Sequence, residues 1–149
     1  MKIFTRIIIL MCGALFAFHS SKAAQDEWPK TITASDGSVI KIYQPQPESF
    51  KGNILKARAA ISVLENGKSD PTFGTFWAVA TVETDRDNRR INIQSVKIPN
   101  IKFPGQTDAA MINALKTTLE TQLPQAAGDI SLDDILASLD QDQEQAKLS

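Results

Sequence analysis

The spacing of apolar residues changes once along this chain, near Pro104, and this change constrains the fold more than any other feature. Before Pro104, apolar and polar residues alternate, which is typical of strands that bury one face. After it, apolar residues recur about every 3.6 positions, the period of an amphipathic helix. The order of the two halves predicts an α+β protein in which a sheet comes first in the chain and helices then cover it.

The first half of the chain predicts about five strands that form an antiparallel meander. The clearest alternation runs from Ile54 to Leu64, where every second residue is apolar. The longest β-rich run, Phe73 to Thr84, is predicted to lie at the middle of the sheet. The pair Asp36-Gly37 indicates a tight hairpin between the first two strands. The prolines in 44–47 predict a loop that leaves the sheet, because proline has no N–H to donate.

Later turns and breaks are also marked in the sequence. Asn66-Gly67 is typical of a hairpin turn, and the run 85–90 predicts a charged turn between the next two strands. The apolar set then shifts phase between Ile93 and Val96, which predicts a β-bulge. Pro99 and Pro104 are predicted to close the β half, with Ile101 and Phe103 between them.

Two amphipathic helices are predicted after Pro104. Thr107 is positioned to cap the first helix, which is predicted to break before Pro124 and over 125–128. The second begins with a capping box formed by Ser131 and Asp134. Their apolar stripes are Met111, Ile112, Leu115, Leu119 and Leu123 in the first helix and Leu132, Ile135, Leu136 and Leu139 in the second. Both helices are expected to pack on one face of the sheet. A more curved, barrel-like sheet plugged by the same helices is the alternative.

The first 23 residues have the three parts of a secretory signal peptide. A basic start is followed by an apolar run at 7–18 and by small residues before Ala23, after which we expect cleavage. The apolar run is about a dozen residues long, whereas a membrane-spanning helix needs about 20. We expect a periplasmic or secreted bacterial protein with a single α+β domain over 24–140 and a polar, flexible tail over 141–149.

Removal of the signal peptide limits the chemistry that the chain can perform. The only cysteine, Cys12, and the only histidine, His19, both lie within it. The mature chain then has no thiol and no imidazole, which excludes disulfides, Ser-His-Asp and Cys-His catalysis, and zinc or haem sites that need those ligands. The loss of Lys2, Arg6 and Lys22 also lowers the basic count from 16 to 13 against 17 acidic residues, a net charge of −4. Nucleic acid is therefore not expected as a partner.

The remaining carboxylates do not indicate an enzyme or a metal site. Glu83, Asp85 and Asp87 cluster in a charged turn that lacks the glycine and the distal glutamate of a calcium loop. Glu48 lies beside Phe50 in a proline-framed loop, and most such loops are structural. We therefore expect a non-enzymatic protein without catalytic residues, metal or cofactor.

Four aromatic residues are candidates for binding a glycan, because aromatic rings stack on the faces of pyranose sugars. They are Trp28, Tyr43, Phe50 and Trp77. Trp77 is the strongest candidate if the face that carries Phe76 forms the core, since Trp77 then lies on the opposite, semi-polar face. The alternative is a structural role, in which Trp28 covers a sheet edge or Trp77 lies inside a barrel.

Several segments together resemble a known group of proteins. They are 28–32, 42–52, 57–63 and 130–139, and the second contains the string YQPQPESFKG. They resemble the N-terminal module of large exported bacterial proteins, which are often labelled carbohydrate-binding family V/XII or autotransporter-like. The resemblance covers nearly all of the mature chain and implies no role for any single residue. Because the larger proteins continue beyond the last helix, we expect this chain to be a stand-alone or a truncated version.

These observations together predict an exported envelope protein that acts as a non-enzymatic binding module. A glycan is the first ligand class to consider. An envelope protein is the alternative partner, bound by an interaction or assembly module that docks through a sheet edge or through Gln44–Pro47.

Overall fold

A computed structural model describes residues 27–105 and 108–148. The predicted signal peptide, with Cys12 and His19, lies outside these residues, as does Thr107. The described residues form seven strands and two helices. The strands are β1 (Lys30–Thr33), β2 (Val39–Ile42), β3 (Gln46–Lys51), β4 (Ile54–Leu64), β5 (Thr72–Asp85), β6 (Arg90–Lys102) and β7 (Asp129–Ser131), and the helices are α1 (Ala109–Ala127) and α2 (Leu132–Leu148).

All the strands pair antiparallel in one sheet of order β1-β2-β4-β5-β6-β7, and β3 lies beside β2 on the same edge of β4. The α+β class is confirmed, and the five predicted strands pair in the expected order with β5 near the middle. The prediction of a plain meander of about five strands is wrong, because β3 and β7 add two strands and the sheet is curled. β3 forms because β2 pairs with only four residues of β4, which leaves the rest of that edge open.

The sheet curls around α1 into a half-barrel. Gln122 Nε2 donates a hydrogen bond to the Thr33 carbonyl oxygen of β1 at 3.5 Å, and Glu120 Oε1 accepts one from the Ile98 backbone N–H of β6 at 2.9 Å. In a flat sheet β1 and β6 would lie about 19 Å apart, whereas a helix is only about 10–12 Å wide. One helix can reach both strands only because the sheet curves, as the barrel-like alternative expected.

The core lies on the concave side of the sheet, beneath the helices. The alternation in β4 is confirmed, since Leu55, Ala59, Ile61 and Val63 are buried there. The helix stripes also reach the core, through Leu115, Leu119 and Leu123 in α1 and through Leu132 and Ile135 in α2. The two helices therefore pack on one face of the sheet, as the sequence predicts.

Three prolines lie inside strands or helices where the sequence predicts a loop or an end, and the prediction of a loop over 44–47 is wrong for Gln46 and Pro47. Pro47 belongs to β3, an edge strand, where a missing N–H is tolerated. Pro99 lies within β6 where its register with β5 shifts, and a bulge also tolerates proline. Pro124 lies within α1, which continues to Ala127 because that residue is buried, and Gly128 follows at a positive φ of 66°.

The turns and caps mostly follow the sequence. Gly37 has a φ of 87° in the predicted hairpin turn, and the predicted bulge is confirmed because Thr81 pairs with Ser95 but Val82 pairs with Ile93. Ser131 Oγ accepts a hydrogen bond from the Asp134 backbone N–H at 3.2 Å, as a capping residue does. The cap of α1 differs from the prediction: it is Asp108, whose carboxylate accepts from Ala110 N at 3.0 Å.

The last helix extends through the segment that the sequence predicts to be a flexible tail. α2 ends at Leu148, and residues 141–148 are all exposed. The segment lacks an apolar stripe, but Gln, Glu, Ala, Lys and Leu all have high helix propensity. The helix propensity of these residues therefore extends α2 beyond its first turns, where its buried residues Leu132 and Ile135 pack against the core.

The Glu120 carboxylate is expected to make the free energy of unfolding depend on pH under acidic conditions. The hydrogen bond from Ile98 N–H, aided by the Lys97 ammonium 3.5 Å away, holds the pKa of Glu120 below its usual 4.5. A lowered folded-state pKa stabilises the fold above pH 4.5, and this stabilisation is lost as the pH falls through the folded-state pKa. We expect Glu120→Gln to show a weaker acid dependence of the free energy of unfolding, measured by urea denaturation at several pH values below 5.

The control for this prediction is Glu144→Gln, on an exposed part of α2. This change should leave the acid dependence as it is in the unmodified protein. If Glu120→Gln kept the full acid dependence, its carboxylate would not be a source of the stabilisation.

Candidate functional site

The convex face of the sheet, which we call the outer face, carries Trp77. Phe76 is 2 % exposed and belongs to the core, so its neighbour Trp77 points to the opposite side. Residues directly opposite each other in antiparallel strands share a face. Gln46, Arg58, Trp77 and Asn100 are successive partners across β3, β4, β5 and β6, so they form one row on the outer face.

Tyr43 lies on the same face, close to this row. Its backbone N–H donates to the Ala60 carbonyl oxygen at 3.0 Å, and its hydroxyl lies 3.4 Å from Ser62 Oγ. Ser62 is the partner of Phe73, which is 56 % exposed. The outer face therefore presents three aromatic side chains, those of Tyr43, Phe73 and Trp77.

Polar side chains surround the Trp77 ring. Lys102 Nζ lies 5.3 Å from the ring centroid, within range of a cation–π contact. On the other side, Arg58 Nε donates to Gln46 Oε1 at 3.1 Å and lies 3.8 Å from Glu48 Oε1. The half-buried ring is thus flanked by an ammonium group, a guanidinium group and an amide, which are groups that can bind hydroxyl or carboxylate oxygens.

The outer face is also basic. The exposed cations that register places there are Lys41, Lys51, Lys56, Arg58, Lys97 and Lys102. The carboxylates near them are those of Glu48, beside Arg58, of Glu120, 3.5 Å from Lys97 Nζ, and of Glu83, toward the far end of β5. A chain with more acidic than basic residues therefore places a cluster of cations around its outer aromatic side chains.

The other two aromatic candidates lie elsewhere. Trp28 is half-buried against the core, with Lys30 Nζ 5.5 Å from its ring centroid. Phe50 also packs against the core, opposite the inward-facing Leu55. The structure therefore brings Tyr43 and Trp77 together but does not place Trp28 or Phe50 on their surface.

A second site, which the sequence analysis missed, lies on the concave side of the sheet. This inner cleft has a volume of about 440 Å³ and lies between the central strands, the end of α1 and the start of α2. Trp28 is at its rim, and its floor includes Ala57, Ala59, Ala78 and Ala80. The signal in the sequence was the presence of alanine at inward positions of two neighbouring strands.

The carboxylates in the turn after β5 serve the backbone. Asp85 accepts hydrogen bonds from the backbone N–H of Asn88 at 3.0 Å and from its side-chain amide at 2.8 Å, and these bonds lower the pKa of Asp85. Over residues 27–105 and 108–148, no three His, Cys, Asp or Glu side chains are grouped so that they could hold a metal ion. In the same part of the chain, no helix is both long and apolar enough to cross a membrane.

Comparison of the chain with protein-family models, with curated proteins and with solved structures found no match. The resemblance to the N-terminal modules of exported bacterial proteins therefore stays a prediction. What the chain binds has to be argued from its own side chains.

Proposed function

We propose that this chain is an exported, non-enzymatic binding module that holds a glycan on its outer face. The proposal rests on the row of Gln46, Arg58, Trp77 and Asn100 across four adjacent strands, with Tyr43 close to it. Export to the periplasm or beyond is supported by the signal-like sequence of the first 23 residues.

The row contains both kinds of group that sugar recognition requires. The Trp77 ring offers an apolar face for stacking, and the side chains of Arg58 and Asn100 lie next to it on either side. Lys102 contacts the ring through a flexible side chain, and an exposed cation–π contact is worth only about 0.5–1 kcal/mol. A sugar can therefore displace the ammonium group from the ring and keep it as a neighbouring donor.

The charge of the outer face favours an acidic glycan over a neutral one. Arg58 and Lys102 flank Trp77, and Lys56 and Lys97 lie one row further along the strands, on either side of Val79. Carboxylate groups on a polysaccharide would meet these cations at the rim of the stacking surface, where charge pairs direct binding more than they strengthen it.

Docking of a protein along Gln44–Pro47 has less support. Gln46 and Pro47 pair with β4, and Pro47 is buried, so only part of this segment is free to bind. The edge strand β3 is also contacted by α2, which hinders the addition of another strand.

Replacing Trp77 with alanine is expected to weaken glycan binding about tenfold, the equivalent of ~1.4 kcal/mol. The loss follows from removal of the ring on which the sugar stacks. Binding of polygalacturonic acid, of peptidoglycan fragments and of neutral dextran would be measured by isothermal titration calorimetry. Thr81→Ala, a change on the same face and strand but away from the row, is the matched control.

Fluorescence then locates the bound sugar, because the chain has only two tryptophans. Trp28→Phe leaves Trp77 as the only emitter, and its emission should shift when polygalacturonic acid is added. Trp77→Phe leaves Trp28, whose emission should not change. Binding that Trp77→Ala leaves unchanged, or the absence of binding to any of the three glycans, would contradict the proposal.

A further inference from the structure

The inner cleft is large enough to hold a small molecule. Its volume of about 440 Å³ lies within the range of about 300–1,000 Å³ that is usual for ligand pockets. Strands from β2 to β6 line it on one side, and Leu123, Ala127 and Ile135 from the two helices line it on the other. Exposed residues of its lining, which include Glu27, Gln44 and Asp134, mark its opening, and Glu120 is not among the lining residues.

The cleft exists because the inward side chains are small at one place in the sheet. Ala57 lies directly opposite Ala78, and Ala80 lies opposite Leu55 in the next inward pair. Further along β4, the inward residues Ile61 and Val63 are large and buried, and no comparable space is left there. Protein interiors normally pack as densely as organic crystals, so an alanine-floored space beneath two helices is a local departure from ordinary packing.

The lining of the cleft indicates which chemistry fits inside. Its walls are aliphatic and aromatic, and its polar residues, which include Glu27, Gln44, Asp134 and Ser138, come from its rim. Among the described residues, no buried side-chain nitrogen or oxygen lacks a hydrogen-bond partner. The interior therefore holds no unpaired polar side chain for a ligand to satisfy, and the enclosed part of a ligand has to be apolar.

The rim determines which polar end a ligand can carry. Glu27 and Asp134 contribute two carboxylates there, and neither forms an ion pair with a described residue. Arg58 also reaches the rim, but its guanidinium is directed to Gln46 and Glu48 on the outer face. Lys30 Nζ also lies near this rim, 5.5 Å from the Trp28 ring centroid, but the two carboxylates outnumber that ammonium group, so a neutral or cationic end fits the rim better than an anionic one.

We infer that the inner cleft binds a slender apolar molecule whose polar end, neutral or cationic, stays at the rim. This site is separate from the outer face, because the inward alanines and Trp77 lie on opposite sides of the sheet. The chain thus carries two binding surfaces with different chemistry, one for a glycan and one for an apolar ligand.

The test uses the neutral apolar dye N-phenyl-1-naphthylamine and the chain without its signal peptide. We expect saturable fluorescence enhancement with one dye per chain. Ala78→Leu should weaken dye binding about tenfold or more, since its isobutyl group occupies the cleft without displacing packed atoms. The matched control is Ala60→Leu, the same change on the outward side of β4, which should leave dye affinity unchanged.

Tryptophan emission reports where the dye binds. In Trp77→Phe, the remaining Trp28 lies at the rim of the cleft, and its emission should be quenched as the dye binds. Circular dichroism establishes whether Ala78→Leu folds, and Ala57→Val repeats the test from the neighbouring strand if it does not. A lack of saturable dye binding, or equal affinity in Ala78→Leu and Ala60→Leu, would overturn the inference. Glycan binding measured on Ala78→Leu should be unchanged, so failure of one site is distinguishable from failure of the other.

Discussion

Replacing Leu119 with alanine is expected to lower the free energy of unfolding by about 2–5 kcal/mol. Leu119 is completely buried at the middle of α1, the helix that contacts both β1 and β6. The substitution removes apolar contacts and leaves a cavity between the helix and the sheet, where the surrounding strands can collapse only in part. Urea denaturation followed by far-UV circular dichroism measures the loss.

Leu136→Ala is the matched control for this prediction. Leu136 belongs to the predicted stripe of α2, but its side chain is 39 % exposed, so truncation should cost much less. If the two leucine variants were equally stable, α1 would not be the element that holds the half-barrel together.

Replacing Gly74 with alanine is expected to cost about 1–3 kcal/mol, although the change adds only one methyl group. A Cβ atom at this position would lie 2.6 Å from the Lys102 carbonyl oxygen and 2.7 Å from Phe103 Cδ1. The ring can move, but the carbonyl belongs to the backbone of β6 and cannot retreat without disturbing the pairing of Thr75 with Lys102. Urea denaturation gives the cost, and fluorescence of Trp77 reports whether Lys102 has moved.

Making Gly74→Ala in a Phe103→Ala protein distinguishes the contact with the Lys102 carbonyl oxygen from the contact with the Phe103 ring. Phe103→Ala removes the ring but leaves the Lys102 carbonyl in place, so Gly74→Ala should still destabilise a Phe103→Ala protein. Full rescue by Phe103→Ala would show that the ring alone excludes a side chain here. Unchanged stability of Gly74→Ala itself would contradict the close approach of β5 and β6.

The elements that the sequence predicts correctly are those determined by nearby residues. The alternation from Ile54 to Leu64 and the phase shift after Ile93 are local patterns, and both are confirmed. β3 could not be predicted in this way, since it depends on the part of the β4 edge that β2 leaves open. The helix through Pro124 depends likewise on burial of its last turn, which only the assembled core provides.

The candidate sites show the same limit. The sequence identifies Trp77 as exposed only on the condition that Phe76 faces the core, and burial of Phe76 meets that condition. The alanines at 57 and 78 are visible in the sequence, but small inward residues leave a cleft only where no helix side chain fills the space. The positions of α1 and α2 over the sheet therefore determine where the inner cleft forms. The periodicity of apolar residues in the sequence carries no information about those positions.

The hydrogen bonds from α1 to the sheet edges also bear on self-association. An open edge strand offers unpaired N–H and C=O groups to which a strand of another molecule can add. Here the Ile98 N–H is bonded to Glu120 and the Thr33 carbonyl to Gln122, so α1 pairs one backbone group of β6 and one of the edge strand β1. Detachment of α1 would free both of these groups at once, so this helix limits strand addition at β1 and β6 as well as contributing to the core.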